Sequence, residues 1–336
     1  MAVTGVEDAT MTDLGRVLIL AGGLSPEREV SLRSGGRLRD ALVSIGVDVE
    51  LVDVDADTLP ALAAERPAVV FPVLHGTSGE DGTIREVLDL YDLPYVGAVP
   101  AACRVAFDKA TAKAAVADRG IATPASVTLP REAFHDLGAA ALIERIVARL
   151  GLPLVVKPRA GGSSFGVSRV EGAGEVAEAL MACFGYHDCA LVEQAVAGME
   201  IAVGVVDTGD GPVALPAVEI EPAAGRAYDY AARYTAGATN FYTPARLAPA
   251  VLDAAARTAL LAHQALGLRD LSRTDMIVDA TGTPQFLEVN VAPGMTETST
   301  WPLALAAAGL DLAVVCRDLA ARAHSRPTTV NGAASA

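Results

Sequence analysis

The sequence predicts a mixed α/β and α+β protein, on three observations. Strand-like and helix-like hydrophobic periods alternate over the first hundred residues in βαβαβ order. That order implies a parallel sheet with ligand-facing residues at the carboxyl ends of its strands. Further on, apolar strand-like runs flank a glycine-rich loop and mix with helical stretches, the mark of α+β pieces. Finally, 336 residues of which 51% are hydrophobic suffice for two or three domains with buried cores.

Taken in order, RVLIL from Arg16 reads as a strand and Ala21-Gly22-Gly23 as a turn. Leu38, Ala41, Leu42 and Ile45 then recur at helical spacing. VDVELVDV gives a second strand, a short helix follows, and AVVFPVLHG is a buried strand ending at His75. This Rossmann-like unit is assigned to residues 14–102. A helix over 101–119 opens the next unit, 103–194, and Gly120 to Pro124 end it. That unit continues with a helix over 131–150, strand LVVKP, loop RAGGSSFG, strand VSRV, a helix over 174–183 and strand ALVEQAV. The last unit, 195–325, holds strands EIAVGVV and VALPAVEI, a helix over 249–267, strands RTDMIVDA and TPQFLEVN, and a final helix. Between them, 221–247 lacks a period but carries four tyrosines. So long an irregular stretch in a compact protein is a lid or disorder, and the aromatic content favours a lid. Residues 1–13 and 326–336 read as disordered tails.

A formal charge of −15 supplies no broad basic surface, which argues against nucleic-acid and anionic-membrane partners. Residues 1–13 have no basic start or apolar h-region, and no uninterrupted apolar run reaches the ~18 residues that would span a bilayer. The four cysteines form no C-x-x-C pair and read as reduced thiols, so the expected location is the cytoplasm. Only three of the 26 basic residues are lysine, Lys109, Lys113 and Lys157. Where arginine is the default cation, a retained lysine marks a place for a compact point charge.

Four groups of residues are candidates to carry chemistry. In AGGSSFG, small residues leave backbone N–H groups free to cradle an anion, and Lys157 at the end of the incoming strand can reach a phosphate. The loop lacks the Lys-Ser/Thr of a Walker A motif, and a glycine-rich hairpin tip is its plain structural alternative. Asp275, Glu288 and Asn290 form a second group, three hard oxygen ligands on two strands with Arg273 on the face of Asp275. Mg²⁺ takes a few such ligands and completes its shell with water and phosphate. The third, LSPEREVS, places Glu27 and Ser31 one helical turn apart at a strand–helix junction, although capping by Ser25 and Pro26 accounts for part of it. In HGTSGEDG, His75 is a possible binding group and Gly-Glu-Asp-Gly alone a turn.

In this order the motifs resemble the D-alanine–D-alanine ligases of the ATP-grasp superfamily, over about residues 17–319. The segments are GGLSPEREVSLRSG, LHGTSGEDGTI, LPYVG, FDKATAK, LPLVVKPRAGGSSFGVSRV, YDYAARY, SRTDMIVD and FLEVNVAPGMTETS. The resemblance implies an ATP-grasp fold behind the Rossmann-like unit, and synthesis of D-alanyl-D-alanine for peptidoglycan precursors and the cell wall. The substrates would be D-alanine and ATP, with two Mg²⁺ ions (Mn²⁺ able to substitute), in a homodimer. It implies that Lys109 and Lys157, with loop residues Gly162, Ser163 and Ser164, bind the ATP phosphates. Glu193, Gln194 and Val196 would line the adenine site and Glu200 would bind ribose. Asp275, Glu288 and Asn290 would hold the metals. Glu27 would meet the first substrate's amino group, tied to the lid through Ser163 and Tyr234, with His75 and Ser31 on the first-substrate side. Arg273 and the Gly294 backbone would stabilise the intermediate, and Arg233, Ser299 and Thr300 would face substrate.

The sequence departs from the family pattern at three places. Arg233 replaces the lid lysine, Val291 replaces a threonine, and Thr300-Trp301 stands where leucine commonly follows the serine. Ser299-Thr300-Trp301 is expected to form the acceptor wall. The acceptor therefore stays open between D-alanine and D-lactate, D-serine or a specialised-metabolite amino acid. Tyr234 favours an amine, because depsipeptide-forming relatives typically lack it.

Overall fold

The computed structural model describes residues 14–223 and 237–326. Its first strand, β1 (Val17–Ala21), is apolar and buried at every position, as a central parallel strand covered on both faces must be. Helix α1 (Arg28–Ser44) connects it to β2 (Val49–Asp53), and α2 (Thr58–Ala64) leads on to β3 (Val69–Pro72). The strands are parallel in the order β2-β1-β3, as the βαβαβ pattern predicts.

Where the chain leaves β3, HGTSGEDG is more than a turn. It forms α3 (Thr77–Glu80), and α4 (Thr83–Leu90) follows directly. The helix expected over 101–119 is two, α5 (Pro100–Phe107) and α6 (Lys109–Ala117). Asp108 divides them: its backbone is extended, its carboxylate caps the Thr111 N–H, and it bridges to Ala160 in the glycine-rich loop. After β4 (Ser126–Pro130), the helix expected over 131–150 is likewise α7 (Arg131–Leu137) and α8 (Ala139–Leu150), split where Gly138 takes a positive φ.

Strands β5 (Leu154–Pro158) and β6 (Ser168–Val170), helix α9 (Val176–Phe184) and strand β7 (Cys189–Gln194) complete a four-stranded antiparallel sheet, β4-β7-β5-β6. A six-stranded sheet follows, with order β11-β10-β8-β12-β13 and β9 paired to β8. Its strands are β8 (Gly198–Val206), β9 (Val213–Ala214), β10 (Val218–Pro222), β11 (Thr239–Tyr242), β12 (Leu271–Asp279) and β13 (Pro284–Asn290). VALPAVEI is thus two strands around Pro216. The end of the irregular stretch is a strand, because Thr239–Tyr242 pairs with β10. Tyr242 accordingly sits on a sheet edge, hydrogen-bonded to Glu221 and covered by Arg246. Residues 224–236 of the expected lid, Arg233 and Tyr234 among them, lie outside the described residues, as do 1–13 and 327–336. Arg326, assigned to the tail, instead pairs with Asp270.

Helix α10 (Pro249–Ala265) covers the large sheet. The expected final helix is two, α11 (Thr300–Ala307) and α12 (Leu312–His324), separated at Gly309. Both return to the first sheet, so Trp301, Leu305 and Leu319 share one core with Ile19, Leu38 and Phe71. Helices α5 and α6, grouped by sequence with the central unit, pack on the third: Cys103, Ala112 and Val116 share a core with Ala262 and Phe286.

Trp301 is fully buried and donates from Nε1 to the Val205 carbonyl at 3.3 Å. It is a core residue, and its assignment to the acceptor wall is corrected. It fits because residue 204 is glycine: a Cβ there would stand 2.8 Å from Trp301 Cδ1 and 2.9 Å from Leu215 Cδ1. Gly204→Ala should therefore cost about 1–3 kcal/mol by overpacking. Urea unfolding followed by the emission of Trp301, the only tryptophan, measures it, and an unchanged midpoint would contradict this packing.

Candidate active site

Two adjoining clefts are lined by residues of the six-stranded sheet and of the four-stranded sheet with its glycine-rich loop. The larger, open to solvent and about 1180 Å³ in extent, is lined by Lys157, Ser164, Glu193, Gln194, Val196 and Glu200, among others. The smaller, about 830 Å³, is lined by Glu27, His75, Glu80, Arg273, Gly294, Ser299 and Thr300, among others. Lys109, Gly161, Gly162, Asp275 and Glu288 line both.

The shared wall follows from strand pairing. Asp275 on β12 stands opposite Glu288 on β13, and Arg273 stands opposite Asn290. A register shift beside Asp275 omits Leu287 from the pairing while keeping Glu288 and Asn290 two residues apart on one face. Arg273 grips Asp275 through two hydrogen bonds, at 2.7 and 2.8 Å. Asn290 Oδ1 accepts from the Ala292 N–H at 2.8 Å. Lys109, at the start of α6, lies 3.1 Å from Glu288 and donates to the Gly161 carbonyl at 2.6 Å.

The glycine-rich loop lies against Glu27. The Ser163 hydroxyl donates to Glu27 Oε1, and a Cβ on Gly162 would come within 3.0 Å of the same oxygen. Ser163 and Ser164 both adopt positive φ, +48° and +58°, the strained conformation typical of a functional turn. Behind Glu27, Ser34 joins the His75 ring (3.3 Å) to the Met295 N–H (3.1 Å), and Arg37 holds the carbonyls of Met295 and Thr296. Gly294 approaches Ser299 so closely that a Cβ would stand 2.7 Å from its hydroxyl.

Burial sets the charge states. It pushes His75 down to about 4, helped by the nearby Arg273 guanidinium, so the ring is neutral near pH 7. Glu80 is pushed up to about 8 by burial and by the Glu27 carboxylate, although the Gly76 N–H donates to it at 2.9 Å. Burial would also raise Glu193, but Lys157 and Lys113 together bring it below the usual carboxylate range. Both ammoniums lie 2.5 Å from its oxygens. Burial outweighs Glu193 at Lys113 and pushes that lysine down.

The two clefts gather nearly all the predicted site residues that lie among those described. Ser31 is the exception. It is fully buried, accepts from the Gly22 N–H and donates to the Val73 carbonyl, both at 2.8 Å. Its hydroxyl is spent joining the ends of β1 and β3, so its substrate-binding assignment is corrected. Gln194 lines the larger cleft, but its amide is bound to the Leu150 carbonyl. Two further residues belong to the arrangement. Glu80 was hidden in a sequence that reads as a turn, and Lys113 was visible only through the scarcity of lysine.

Comparison with known proteins follows the same lines. Residues 115–320 match the family model for the D-ala D-ala ligase C-terminus, and residues 55–98 match that for the N-terminus. A D-alanine–D-alanine ligase of Bordetella petrii is 40% identical over 310 residues, covering 92% of each chain. One from Anaeromyxobacter dehalogenans strain 2CP-C is 42% identical over 301 residues, covering 90% of this chain and 94% of its own. Among solved structures, the D-alanine–D-alanine ligase of Bacillus anthracis superposes with TM-score 0.78 at 28% identity, over 92% of this chain and 98% of its own. The VanG D-Ala:D-Ser ligase of Enterococcus faecalis gives 0.77 at 28%, over 91% and 98%.

The charge state of Glu80 has a measurable consequence. Its carboxyl is protonated in the native state but ionises near 4.5 when unfolded. The unfolded chain therefore binds fewer protons between those values, and stability falls as pH rises. Between about pH 5 and pH 8 the wild type should lose stability relative to Glu80→Gln, by at most about 1.4 kcal/mol per pH unit. Urea midpoints of both proteins across that range test it, and parallel profiles would show Glu80 ionised throughout.

Proposed function

The chain belongs to the D-alanine–D-alanine ligase family, and we propose that it joins two D-alanines at the expense of ATP for peptidoglycan precursor synthesis. The observation that carries this reading is the meeting of the two clefts. The larger is apolar-walled and ends in Lys157 and a glycine-rich loop, which suits a nucleotide with its phosphates forward. The smaller holds a buried carboxylate, a neutral imidazole and an arginine, which suits amino acids. Lys109, Gly161, Gly162, Asp275 and Glu288 line both, so a transferring phosphoryl group would pass between them.

The carboxylate of the first D-alanine attacks the γ-phosphorus of ATP, the bond to ADP breaks, and a D-alanyl phosphate forms. Glu27 binds the ammonium of that D-alanine, oriented by Ser163, beside neutral His75. Lys109, Lys157 and the N–H groups of Gly162, Ser163 and Ser164 hold the phosphates, so positioning and electrostatics supply the acceleration. Glu193, Gln194 and Val196 border the adenine, and Glu200 takes the ribose hydroxyls. The amine of the second D-alanine then attacks the acyl carbon, and phosphate leaves. Arg273 and the Gly294 N–H stabilise the tetrahedral oxyanion, while Ser299 and Thr300 border the acceptor.

The family uses ATP and a divalent metal. Asp275 and Glu288 face each other across two strands, with an amide oxygen beside them, and this hard donor set fits a cation that takes its remaining ligands from phosphate. Asp275, Glu288 and Asn290 would hold two Mg²⁺ ions, or Mn²⁺ in their place, and bound metal would neutralise phosphate charge. In this reading Tyr234 and Arg233 belong to a lid that excludes water from the acyl phosphate. The chain is divided at about residues 102 and 194, with α5 and α6 packed on the last unit although they precede the central one, and works as a cytoplasmic homodimer. The last point is open to sedimentation equilibrium.

ADP release across a panel of D-amino and D-hydroxy acids, with products identified by mass spectrometry, tests the acceptor. D-alanyl-D-alanine should dominate, and strong D-lactate with negligible D-alanine turnover would overturn the reading. Asp275→Ala and Glu288→Ala should each lower ADP formation by more than about 100-fold, the worth of several kcal/mol of lost charge stabilisation. Unaltered turnover in folded variants would remove these residues from the metal site.

A further inference from the structure

Lys113 lines neither cleft, yet it is 4% exposed and is one of only three lysines in the chain. Its ammonium lies 2.5 Å from Glu193 Oε2, and that of Lys157 lies 2.5 Å from Oε1. Glu193 itself is 2% exposed, in the interior of β7 between β4 and β5. One buried carboxylate is thus held between two buried cations, with Lys157 on the cleft side and Lys113 behind.

We propose that Lys113 is a positioning residue for the nucleotide: it remains on Glu193 as a standing countercharge, so that Lys157 can leave Glu193 for a phosphate. The inference rests on the ATP reading above. With a single lysine as partner, drawing that lysine onto a phosphate would abandon a buried carboxylate, and an unpaired buried charge is strongly disfavoured. With two, Lys113 and Glu193 stay as a neutral pair when Lys157 moves, and the surplus positive charge of the triad belongs to the ligand. The placement is also economical in sequence. Lys109 and Lys113 are one turn apart on α6, so one helix face sends one lysine to Gly161 and Glu288 and the next to Glu193.

The test measures KM for ATP, KM for the first D-alanine, ADP affinity by calorimetry and thermal stability in Lys113→Met, Lys113→Gln and Lys113→Arg. Methionine keeps nearly the volume without the charge, while glutamine, one bond shorter, still carries an N–H that can donate to Glu193, so it separates charge from packing even where the methionine variant folds poorly. Both neutral variants should raise KM for ATP and weaken ADP binding by about 10- to 100-fold, the worth of one charge-assisted hydrogen bond. KM for the first D-alanine should stay within about twofold, a change too small to represent a lost hydrogen bond. Arginine should retain most of the ATP affinity. Because Lys113 acts through Lys157, adding Lys157→Met to Lys113→Gln should weaken nucleotide binding no further than Lys157→Met alone.

Full additivity in that cycle, or ATP affinity unchanged in folded Lys113→Gln, would overturn the proposal. So would a loss shared equally by ATP and D-alanine, which marks a general structural role. Failure of the wild type to bind ATP or ADP would refute the underlying reading instead.

Discussion

A buried ammonium must find partners, and Lys109 finds them on two different sheets. One is the Gly161 carbonyl in the loop of the four-stranded sheet, and the other is Glu288 on the last strand of the six-stranded sheet. The helix it opens exists because Asp108 turns the chain there, caps the helix and bridges to Ala160. The hydrogen bond from the Lys109 N–H to the Arg159 carbonyl extends the same seam. A single short stretch therefore fixes how far the glycine-rich loop stands from the paired carboxylates. Both clefts depend on that separation.

The second fixed distance is set by α1. Ser31 closes the ends of β1 and β3, Ser34 reaches the His75 ring and the Met295 N–H, and Arg37 holds the following carbonyls. These residues recur every three positions, on one helix face. They join the parallel sheet to the loop after β13, whose Gly294 and Ser299 border the smaller cleft. Glu27, just before the first turn, is carried by the same frame and meets Ser163 from the opposite direction. The smaller cleft is thus closed between two rigid attachments, while the loop supplying Gly162 and Ser163 hangs from a hairpin.

Most strands and the core-facing helices were legible because their signal is local: apolar residues at period two or near four within a window. The breaks were less so. Asp108 ends a helix by capping the next one and pairing with a loop fifty residues away, a partner no window contains. Gly138 and Gly309 sit where a single positive-φ residue outweighs continuous helical composition. Thr239–Tyr242 becomes a strand because β10 offers an edge, although its own sequence has no clear period. The site divides in the same way. Asp275, Glu288, Lys157 and the glycine loop stood out because oxygen-bearing side chains on paired strands and small residues in a hairpin have characteristic spacing, and the structure brings them to the two clefts. Ser31 looked equivalent to Glu27 one turn away, yet its hydroxyl faces two backbone groups that only the folded sheet brings near. Glu80 required knowing that the turn is buried beside another carboxylate.

The departures from the family pattern can be weighed by the same geometry. Val291 lacks the threonine hydroxyl and lies in the apolar cluster with Phe286 and Val289, where an all-apolar side chain packs without a polar group to satisfy. Trp301 fills the hollow above Gly204, which fixes where α11 begins and hence where Ser299 meets Gly294. Trp301 therefore acts on the smaller cleft through backbone placement, not contact. Thr300 borders the cleft, but its hydroxyl is fully covered and has no hydrogen-bond partner among the described residues. A covered hydroxyl offers nothing to an incoming group, so Thr300 shapes the cleft wall without adding a polar contact. A hydroxyl-bearing molecule in the cleft gains no hydrogen bond from Thr300 in this conformation, so discrimination between a methyl and a hydroxymethyl side chain falls to the other wall residues.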